Sequence, residues 1–366
     1  MDYQFATITL LALPLLATVK LLAQFFLSSR LNKSALSRDV RGKHLLITGG
    51  SKGLGKAIAA QLVEAGANVT IVARGLDSLK KAASELEKLN SNVKIHYAAI
   101  DLGQRDAVVA GIKEIRAKMG KIDWVVANAG SALPGFVADQ LDAGSAFEAM
   151  INQNYFSAVN VVRALIAVAK EVAEEKKIKE GGRSWAISGI SEAAQEELPT
   201  KIILVGSVMS TLSFIGYSAY SASKFAQRGF ADGLRSEFAP LGIDVHVYLP
   251  ANMDTPGFVV ENEYKPEITA QIEGAASTAT PEDAASMMLA GVLNKRYFIN
   301  NDALGELIRV VANGCAVRPN PITEALAAPA LFLALSAWGV IADMEVKGFF
   351  KNAPKVKPAS DGKKKE

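Results

Sequence analysis

From residue 43 to about 250, short apolar runs alternate with longer stretches of helical period. His44–Thr48, Val69–Ala73, Val93–Ile100, Trp124–Ala127, Ile202–Gly206 and Asp244–Leu249 read as strands. Their near-continuous apolar character is that of strands buried on both faces. Lys56–Ala65, Leu76–Asn90, Arg105–Met119, Ala146–Lys170 and Ala219–Phe238 read as the helices between them. Regular alternation of this kind predicts an α/β fold. Its core is a doubly wound parallel sheet with helices on both faces and a ligand crevice at the strand C-terminal ends. Residues 171–200 are charged and Gly-rich and read as a surface insertion. Beyond 256 the strand pattern stops, and 256–280 reads as a mobile loop and helix over the crevice.

The two ends of the chain follow another pattern. Phe5–Leu27 is a 23-residue apolar stretch interrupted by Pro14, Lys20 and Gln24. As a helix rising about 1.5 Å per residue it is long enough to cross a hydrocarbon core of about 30 Å. A cleaved secretory signal would carry a basic leader and a small-residue cleavage site. Here Asp2 is the sole charge before the run, so an uncleaved membrane anchor over 1–27 is expected. A basic linker, 28–42, follows it and places the remainder on the cytosolic side. A second apolar run, Ala325–Ala342, contains Pro329 and Gly339 and is short for a span. It is expected to dip into the membrane and return, or to lie in its surface. Arg309 and Arg318 before it and six lysines after it mark neither flank as lumenal. The tail 351–366 is Lys-rich and is expected to be disordered. Its Lys363 and Lys364 resemble a dilysine retrieval signal. The domain plan is therefore anchor, linker, a catalytic unit over 43–310, a membrane-associated segment over 325–342, and the tail.

Charge changes this picture only at its margins. Among 366 residues, 40 Lys and Arg oppose 37 Asp and Glu, and half of the chain is hydrophobic. Residues 28–43 carry five basic side chains against Asp39, while the body between the basic ends is mildly acidic. A nucleic-acid footprint would lie on the folded face, so that class of partner is not expected. Basic ends suit a membrane surface. The lone Cys315 excludes an intrachain disulfide, and with three histidines in all no metal site is expected.

The candidate chemistry lies at the predicted strand ends. Thr48-Gly49-Gly50-Ser51-Lys52-Gly53-Leu54-Gly55 joins the first strand to the first helix, where glycines let backbone amides meet a pyrophosphate. Gly49, Ser51 and Gly53 also satisfy the G-x-S-x-G pattern of a hydrolase nucleophile. That reading would need His246 as its base, and His246 sits inside a predicted strand. At the end of the second strand stands Arg74, 19 residues after Gly55. An acidic residue there would bind the ribose hydroxyls of NAD, whereas Arg74, with Lys52 inside the turn, suits a 2′-phosphate. The favoured cofactor is NADPH. Tyr220 and Lys224 fall at i and i+4 on one helix face. Ser207 ends the fifth strand, and Asn154 lies in the long preceding helix.

Taken together with Asp101-Leu102 and Asn128-Ala129-Gly130, these motifs resemble the short-chain dehydrogenase/reductase family from about residue 42 to 300. The resemblance implies a Rossmann-type sheet and hydride transfer to a ketone. It implies Asn154, Ser207, Tyr220 and Lys224 as catalytic residues. It implies cofactor contacts from Gly49, Ser51, Lys52, Gly53, Leu54, Gly55, Arg74, Asp101, Leu102, Asn128, Ala129 and Gly130, and from Tyr220, Lys224, Pro250 and Thr255. Tyr220 would protonate the carbonyl oxygen, its phenol brought down from near 10 by the Lys224 ammonium. Four features are most similar to members reducing a long-chain sphingoid ketone at the endoplasmic reticulum membrane: the apolar N-terminus, Asp254–Phe258, Asn301–Leu307 and the apolar C-terminal region. Pro250-Ala251 departs from the family's Pro-Gly. The implied partners are a lipid ketone and the membrane, with the catalytic unit facing the cytosol and a homo-oligomer left open. The rivals are a membrane-bound retinoid or steroid carbonyl reductase and a catalytically idle dinucleotide-binding scaffold.

Overall fold

In a computed structural model, residues 2–141, 146–180, 186–187, 189–274, 278–314 and 316–352 are described. Cys315 and the lysine tail from 353 onward, with its dilysine pair, lie outside them. Seven parallel strands form the sheet: β1 His44–Thr48, β2 Asn68–Ala73, β3 Ile95–Ala99, β4 Trp124–Ala127, β7 Lys201–Val205, β8 Asp244–Leu249 and β9 Phe298–Asn300. β5 Ala186–Ile187 and β6 Ile190–Ser191 form a separate small hairpin. The sheet order is β3-β2-β1-β4-β7-β8-β9. Winding starts at β1, runs outward to β3, then returns past β1 to β4. The β1/β4 boundary is thus the switch point, where a crevice opens at the strand C-termini.

Side chains on successive strand positions point to opposite faces and enter different cores. Leu45, Ile47, Trp124, Val126, Ile203 and Tyr248 pack with α3 Gly53–Glu64, α4 Leu76–Glu87 and α12 Pro281–Leu293. On the other face, Leu46 and Val125 meet α5 Arg105–Met119 and α7 Ser157–Glu180. Leu204 and Val247 meet α7 and α9 Ser218–Phe238. All five residues of β1 are buried, as a strand covered on both sides requires.

The structure departs from the sequence pattern at five places. The sheet does not stop at β8, because Phe298–Asn300 adds an edge strand paired from Val247↔Phe298. Three residues are too few to leave a periodic signal. The long helix expected from Ala146 is interrupted: Ala146–Met150 (α6) passes into a π-helical turn, Ile151–Phe156, before α7. The segment 171–200 is not a plain surface insertion, since α7 continues to Glu180 and Ile190, Ala194 and Leu198 join the core around α8 Glu192–Glu197. Glu197 is also ion-paired with Arg116. Residues 256–280 contain two helices, α10 Pro256–Tyr264 and α11 Glu267–Glu273.

The fifth departure concerns the second apolar run. It is not a re-entrant hairpin: Pro321–Asn352 is one continuous helix, α14, through both Pro329 and Gly339. A proline inside a helix removes one backbone hydrogen bond, and a glycine removes none, so neither must break it. Among the described residues it is the one helix long and apolar enough by itself to cross a membrane. The N-terminal run is also helical, α1 Asp2–Ser28. Its segment Ala12–Ser28 reaches the same criterion only together with α2 Lys33–Val40 across a 61° bend. Nor are Arg309 and Arg318 free flanking charges. Arg309, on α13 Ala303–Ala312, is 1% exposed and forks onto Glu324 of α14 at 2.9 and 3.2 Å. It also bonds Glu306, and Arg318 bonds Glu324 at 3.0 Å. The root of α14 is locked to the body by buried charge.

Candidate active site

The turn after β1 closes tightly on the start of α3. Gly49 and Gly53 have φ of +65° and +54°, a region that favours glycine. A Cβ on Gly49 would stand 2.7 Å from Asn128 Nδ2, and one on Gly55 2.3 Å from the Gly49 carbonyl oxygen. The turn can therefore be built only from glycine at these points. Lys52 occupies the N-cap of α3 and makes no side-chain capping bond. The first amides of α3 are thus left uncapped by a side chain, and with the helix dipole they form a cradle for a phosphate. Ser51 is half-buried in that turn, Leu54 is buried beneath it, and Lys52 is exposed. Thr255, which caps α10 by accepting from the Phe258 amide, stands 3.3 Å from where a Gly53 Cβ would be. A pyrophosphate fits this cradle, so the dinucleotide expected from the sequence suits the residues present.

The neighbouring strand ends complete the crevice. Arg74 is exposed one residue past β2, whose Val72 pairs with Thr48. Asp101 accepts from the Gly103 amide at 3.0 Å, and Asn160 of α7 donates to the carbonyl of buried Leu102 at 2.9 Å. Asn128 donates its side-chain amide to the Thr48 carbonyl at 3.0 Å, while the Asn128 and Ala129 backbone amides both donate to Thr48 Oγ1 at 2.9 Å. The two turns are one hydrogen-bonded unit. Gly130 lies against the next element: a Cβ there would be 2.6 Å from Asn154 Oδ1 and 3.6 Å from Lys224 Nζ.

The four expected catalytic side chains converge there. Asn154 is fully buried in the π turn, a helix defect frequent at functional sites. Its Oδ1 accepts from the Ser131 amide at 2.9 Å, and its Nδ2 donates to the Ser131 carbonyl at 3.0 Å and Ser223 Oγ at 2.8 Å. Ser207 follows β7 as the cap of a short 3-10 turn, accepting from the Met209 amide at 3.2 Å. On α9, Lys224 Nζ donates to the Val205 carbonyl at 2.9 Å and lies 5.8 Å from the centroid of the Tyr220 ring. Pro250 accepts from the Val208 amide at 3.0 Å, and Asn301 Oδ1 holds the Ala251 amide at 2.8 Å. The altered Pro-Ala step is thereby fixed by the chain after β9.

Electrostatics differ from the sequence expectation. Burial pushes the Tyr220 phenol well above its ordinary value, against a hydrogen bond with Ser207 that pulls it down. Burial also brings Lys224 down to about 7. Burial thus disfavours the Lys224 ammonium that the sequence reading expects to lower Tyr220. The sign of its effect on stability follows. Between about 7 and 10.5 the unfolded chain binds a proton at Lys224 that the folded chain does not, so stability of the ligand-free protein rises with pH across that window. Lys224→Met is therefore expected to raise the melting midpoint at neutral pH and flatten its rise towards alkaline pH, while abolishing turnover. Calorimetry on detergent-solubilised protein reads this, and an unchanged midpoint would refute the buried-charge assignment.

The hydrolase reading fails on geometry. His246 is buried in β8, in register with Ile203, and its Nδ1 bonds the Arg296 carbonyl at 2.6 Å. Burial also holds its imidazole below the ordinary value. Sequence reasoning missed Ser131 and Ser223, which hold the site together without a spacing signature, and gave no role to Thr48, which it quoted within the glycine turn. Asn301 lay within a quoted motif but had no role attached.

These features define a dinucleotide-binding α/β oxidoreductase site. The profile of the family described as short chain dehydrogenase matches residues 43–177 and 185–265, and the chain belongs to that family. Among curated relatives, it is 39% identical over 298 residues to a "PIGF/3-ketodihydrosphingosine reductase fusion protein" of Schizosaccharomyces pombe. That match covers 81% of this chain and 54% of the relative, so the chain spans about half of the fusion protein. It is 33% identical over 286 residues to a 3-ketodihydrosphingosine reductase of Bos taurus, covering 77% of each. Among solved structures, a short-chain dehydrogenase/reductase from Mycobacterium marinum aligns with a TM-score of 0.58 at 23% identity, over 72% of this chain and 95% of that one. An alcohol dehydrogenase from Thermococcus sibiricus in complex with 5-hydroxy-NADP aligns with a TM-score of 0.53 at 22% identity, over 71% and 96%. These two likenesses establish the shared fold.

Proposed function

We propose that this protein reduces 3-ketodihydrosphingosine to dihydrosphingosine with NADPH, at the endoplasmic reticulum membrane with its catalytic unit facing the cytosol. The observation that carries the reading is the convergence of Asn154, Ser207, Tyr220 and Lys224 beside a glycine cradle. The two curated relatives whose names carry this reductase activity supply the substrate. A dinucleotide whose pyrophosphate is held by the Gly49–Gly55 turn would supply the hydride from its nicotinamide end. Tyr220 donates its proton to the ketone oxygen, and its burial keeps the phenol in the protonated form that a general acid needs. Ser207 hydrogen-bonds the same oxygen and stabilises the charge that grows on it. Lys224 holds the nicotinamide ribose. Asn154 fixes the Ser131 and Ser223 positions and orders a water that returns a proton through Lys224.

Cofactor oxidation with a panel of lipid ketones tests the reading. Turnover of 3-ketodihydrosphingosine with neither retinoid nor steroid ketone turned over supports it. Preference for a retinoid or steroid transfers the assignment to that class, and no turnover of any ketone leaves the idle scaffold.

Coenzyme choice is assigned to Arg74, with Lys52 as a second cation. A 2′-phosphate that loses a charge-assisted partner and meets a carboxylate instead forfeits about 2–3 kcal/mol, so Arg74→Asp is expected to lower the NADPH-to-NADH ratio of kcat/KM by about 100-fold. A ratio that hardly moves would place the phosphate elsewhere.

A further inference from the structure

The long apolar helix α14 does not leave the catalytic unit, as a spanning helix would. Its root is fixed by the Arg309–Glu324 fork, and Ala327 is fully buried in a small cluster with Ala17 and Leu21 of α1 and Val310 of α13. Further along, the Trp338 ring lies 6.3 Å edge-on to Phe214. Near its end, the Phe350 ring lies 6.0 Å from Phe136. Phe214 belongs to the loop after β7, and Phe136 to the loop after β4; the two loops are joined by a Gly135 amide bond to the Gly216 carbonyl at 2.8 Å. Both loops rise from the C-terminal edge of the sheet, where the active site opens.

Length decides how such a helix meets a bilayer. From Ala327 to Phe350 the rise is about 35 Å, a little more than a hydrocarbon core. The same globular unit touches α14 at its root, middle and end. Were α14 to cross, the Phe214 loop would sit at mid-membrane depth and the Phe136 loop beyond it. Their backbone polar groups would then be unpaired in hydrocarbon. Yet α14 cannot face water either. Only 6% of its most apolar window is buried, and Leu333, Val340 and Met344 are each more than 60% exposed. A bare surface of this kind marks an interaction face.

We propose that α14 lies in the plane of the membrane within one leaflet, forming the sill of the active-site mouth, so that the bilayer surface itself presents the substrate. The occupant of the face is a lipid bilayer. Two observations favour it over a second copy of the chain. Arg30, Lys33, Arg38 and Arg41 are all exposed just past α1, the helix packed against α14, as suits an anionic headgroup layer. Asp343, Glu345 and Lys347 are exposed on the last turns of α14, which therefore return to the headgroups. An aromatic series leads inward from the sill: Trp338 to Phe214, Phe214 to Tyr217 at 5.3 Å, and Tyr217 to Tyr220 at 5.8 Å between ring centroids. A single-chain lipid whose ketone reaches Tyr220 can leave its tail along this series and over α14. Val259 and Val260 of α10 are exposed as well. The delivery half of the proposal rests on the lipid-ketone reading above; the placement of α14 does not.

The test separates the two. Full-length Cys315→Ser protein is bound to phosphatidylcholine vesicles containing a minority of phosphatidylserine. Single nitroxide labels are placed at Ile322, Leu333, Ile341 and Met344, and their depths are read from accessibility to oxygen and to a water-soluble nickel complex. In-plane placement predicts that every label stays within one leaflet, its depth oscillating with the helical period. A depth that rises steadily to the bilayer centre and falls again towards Met344 would overturn the proposal in favour of a span. Labels unaffected by vesicles, or broadened by label–label contact, would overturn it in favour of solvent or a second copy.

For delivery, the paired Val340→Glu, Ile341→Glu variant is compared with wild type. Its kcat/KM for a vesicle-borne long-chain 3-keto sphingoid base is expected to fall by about tenfold or more, because acidic side chains are costly in hydrocarbon. For a short-chain, water-soluble analogue it is expected to stay within about twofold, since neither residue touches the catalytic side chains. Equal losses on both substrates would overturn the delivery role. A wild type inactive on both would instead count against the reductase reading, while the label depths still decide the placement of α14.

Discussion

Tyr220→Phe is expected to lower turnover by at least about 100-fold, the lower bound for losing a general acid, while NADPH binding is kept. The substitution removes one hydroxyl and leaves the ring, so its contacts with Tyr217 and Lys224 persist. The proton that the ketone oxygen must gain then has to come from Ser207 or water. Neither matches a phenol as an acid: a serine hydroxyl and water each hold their proton more tightly than a phenol does. The measurements are single-turnover rate and NADPH affinity by fluorescence. A rate near wild type would refute the role given to Tyr220. Affinity lost together with rate would show that the hydroxyl organises the cofactor site instead.

Arg309→Met is expected to cost about 3–5 kcal/mol of stability, the range for removing one partner of a buried ion pair. Arg309 is 1% exposed, and its carboxylate partners Glu306 and Glu324 are 4% and fully buried. The variant leaves them with Arg296, Asn300 and Arg318 only. Burial pushes the Glu306 carboxyl up, but Arg309 and Arg296 outweigh it and hold the group below its ordinary value of 4.5. A carboxyl lowered in the folded state contributes stability above its unfolded pKa and loses it as pH falls through the folded one. Wild type should therefore weaken on acidification by more than the variant does. Urea titration of detergent-solubilised protein at neutral and acidic pH reads both effects, with Arg309→Met, Glu324→Gln recovering part of the loss. If Arg309→Met unfolds like wild type, the buried network does not hold the root of α14.

Much of the site was legible in the sequence because its geometry is local. A glycine turn between strand and helix, and Tyr220 with Lys224 one helical turn apart, need only backbone geometry to be placed. Six of the seven sheet strands were read from the sequence; five are mostly buried apolar runs, while the edge strand Ile95–Ala99 is only partly buried. The three-residue edge strand Phe298–Asn300 was not, because its identity comes from pairing with Val247–Leu249. Asn154 was found as a residue type, but neither the π turn that carries it nor its bonds to Ser131 and Ser223, 23 and 69 positions away, can be read from local spacing. Arg309 and Arg318 were misread for the same reason. A lone basic residue before an apolar run looks like a flanking charge until its partner, Glu324, is seen folded against it.

Order along the chain, then, determined the parallel α/β sheet, the glycine turn, the residues proposed as the catalytic set and the presence of two apolar segments. Each is written within a window of a few turns, where periodicity and spacing act. Tertiary structure alone decided the protonation of Tyr220 and Lys224, which depends on how much water the surrounding elements exclude. It alone decided the course of α14. Hydropathy measures how apolar a helix is but not what lies beside it, and the contacts with Phe214 and Phe136 join residues more than a hundred positions apart. Burial and long-range contact are properties of the packed whole, which no local stretch of sequence contains.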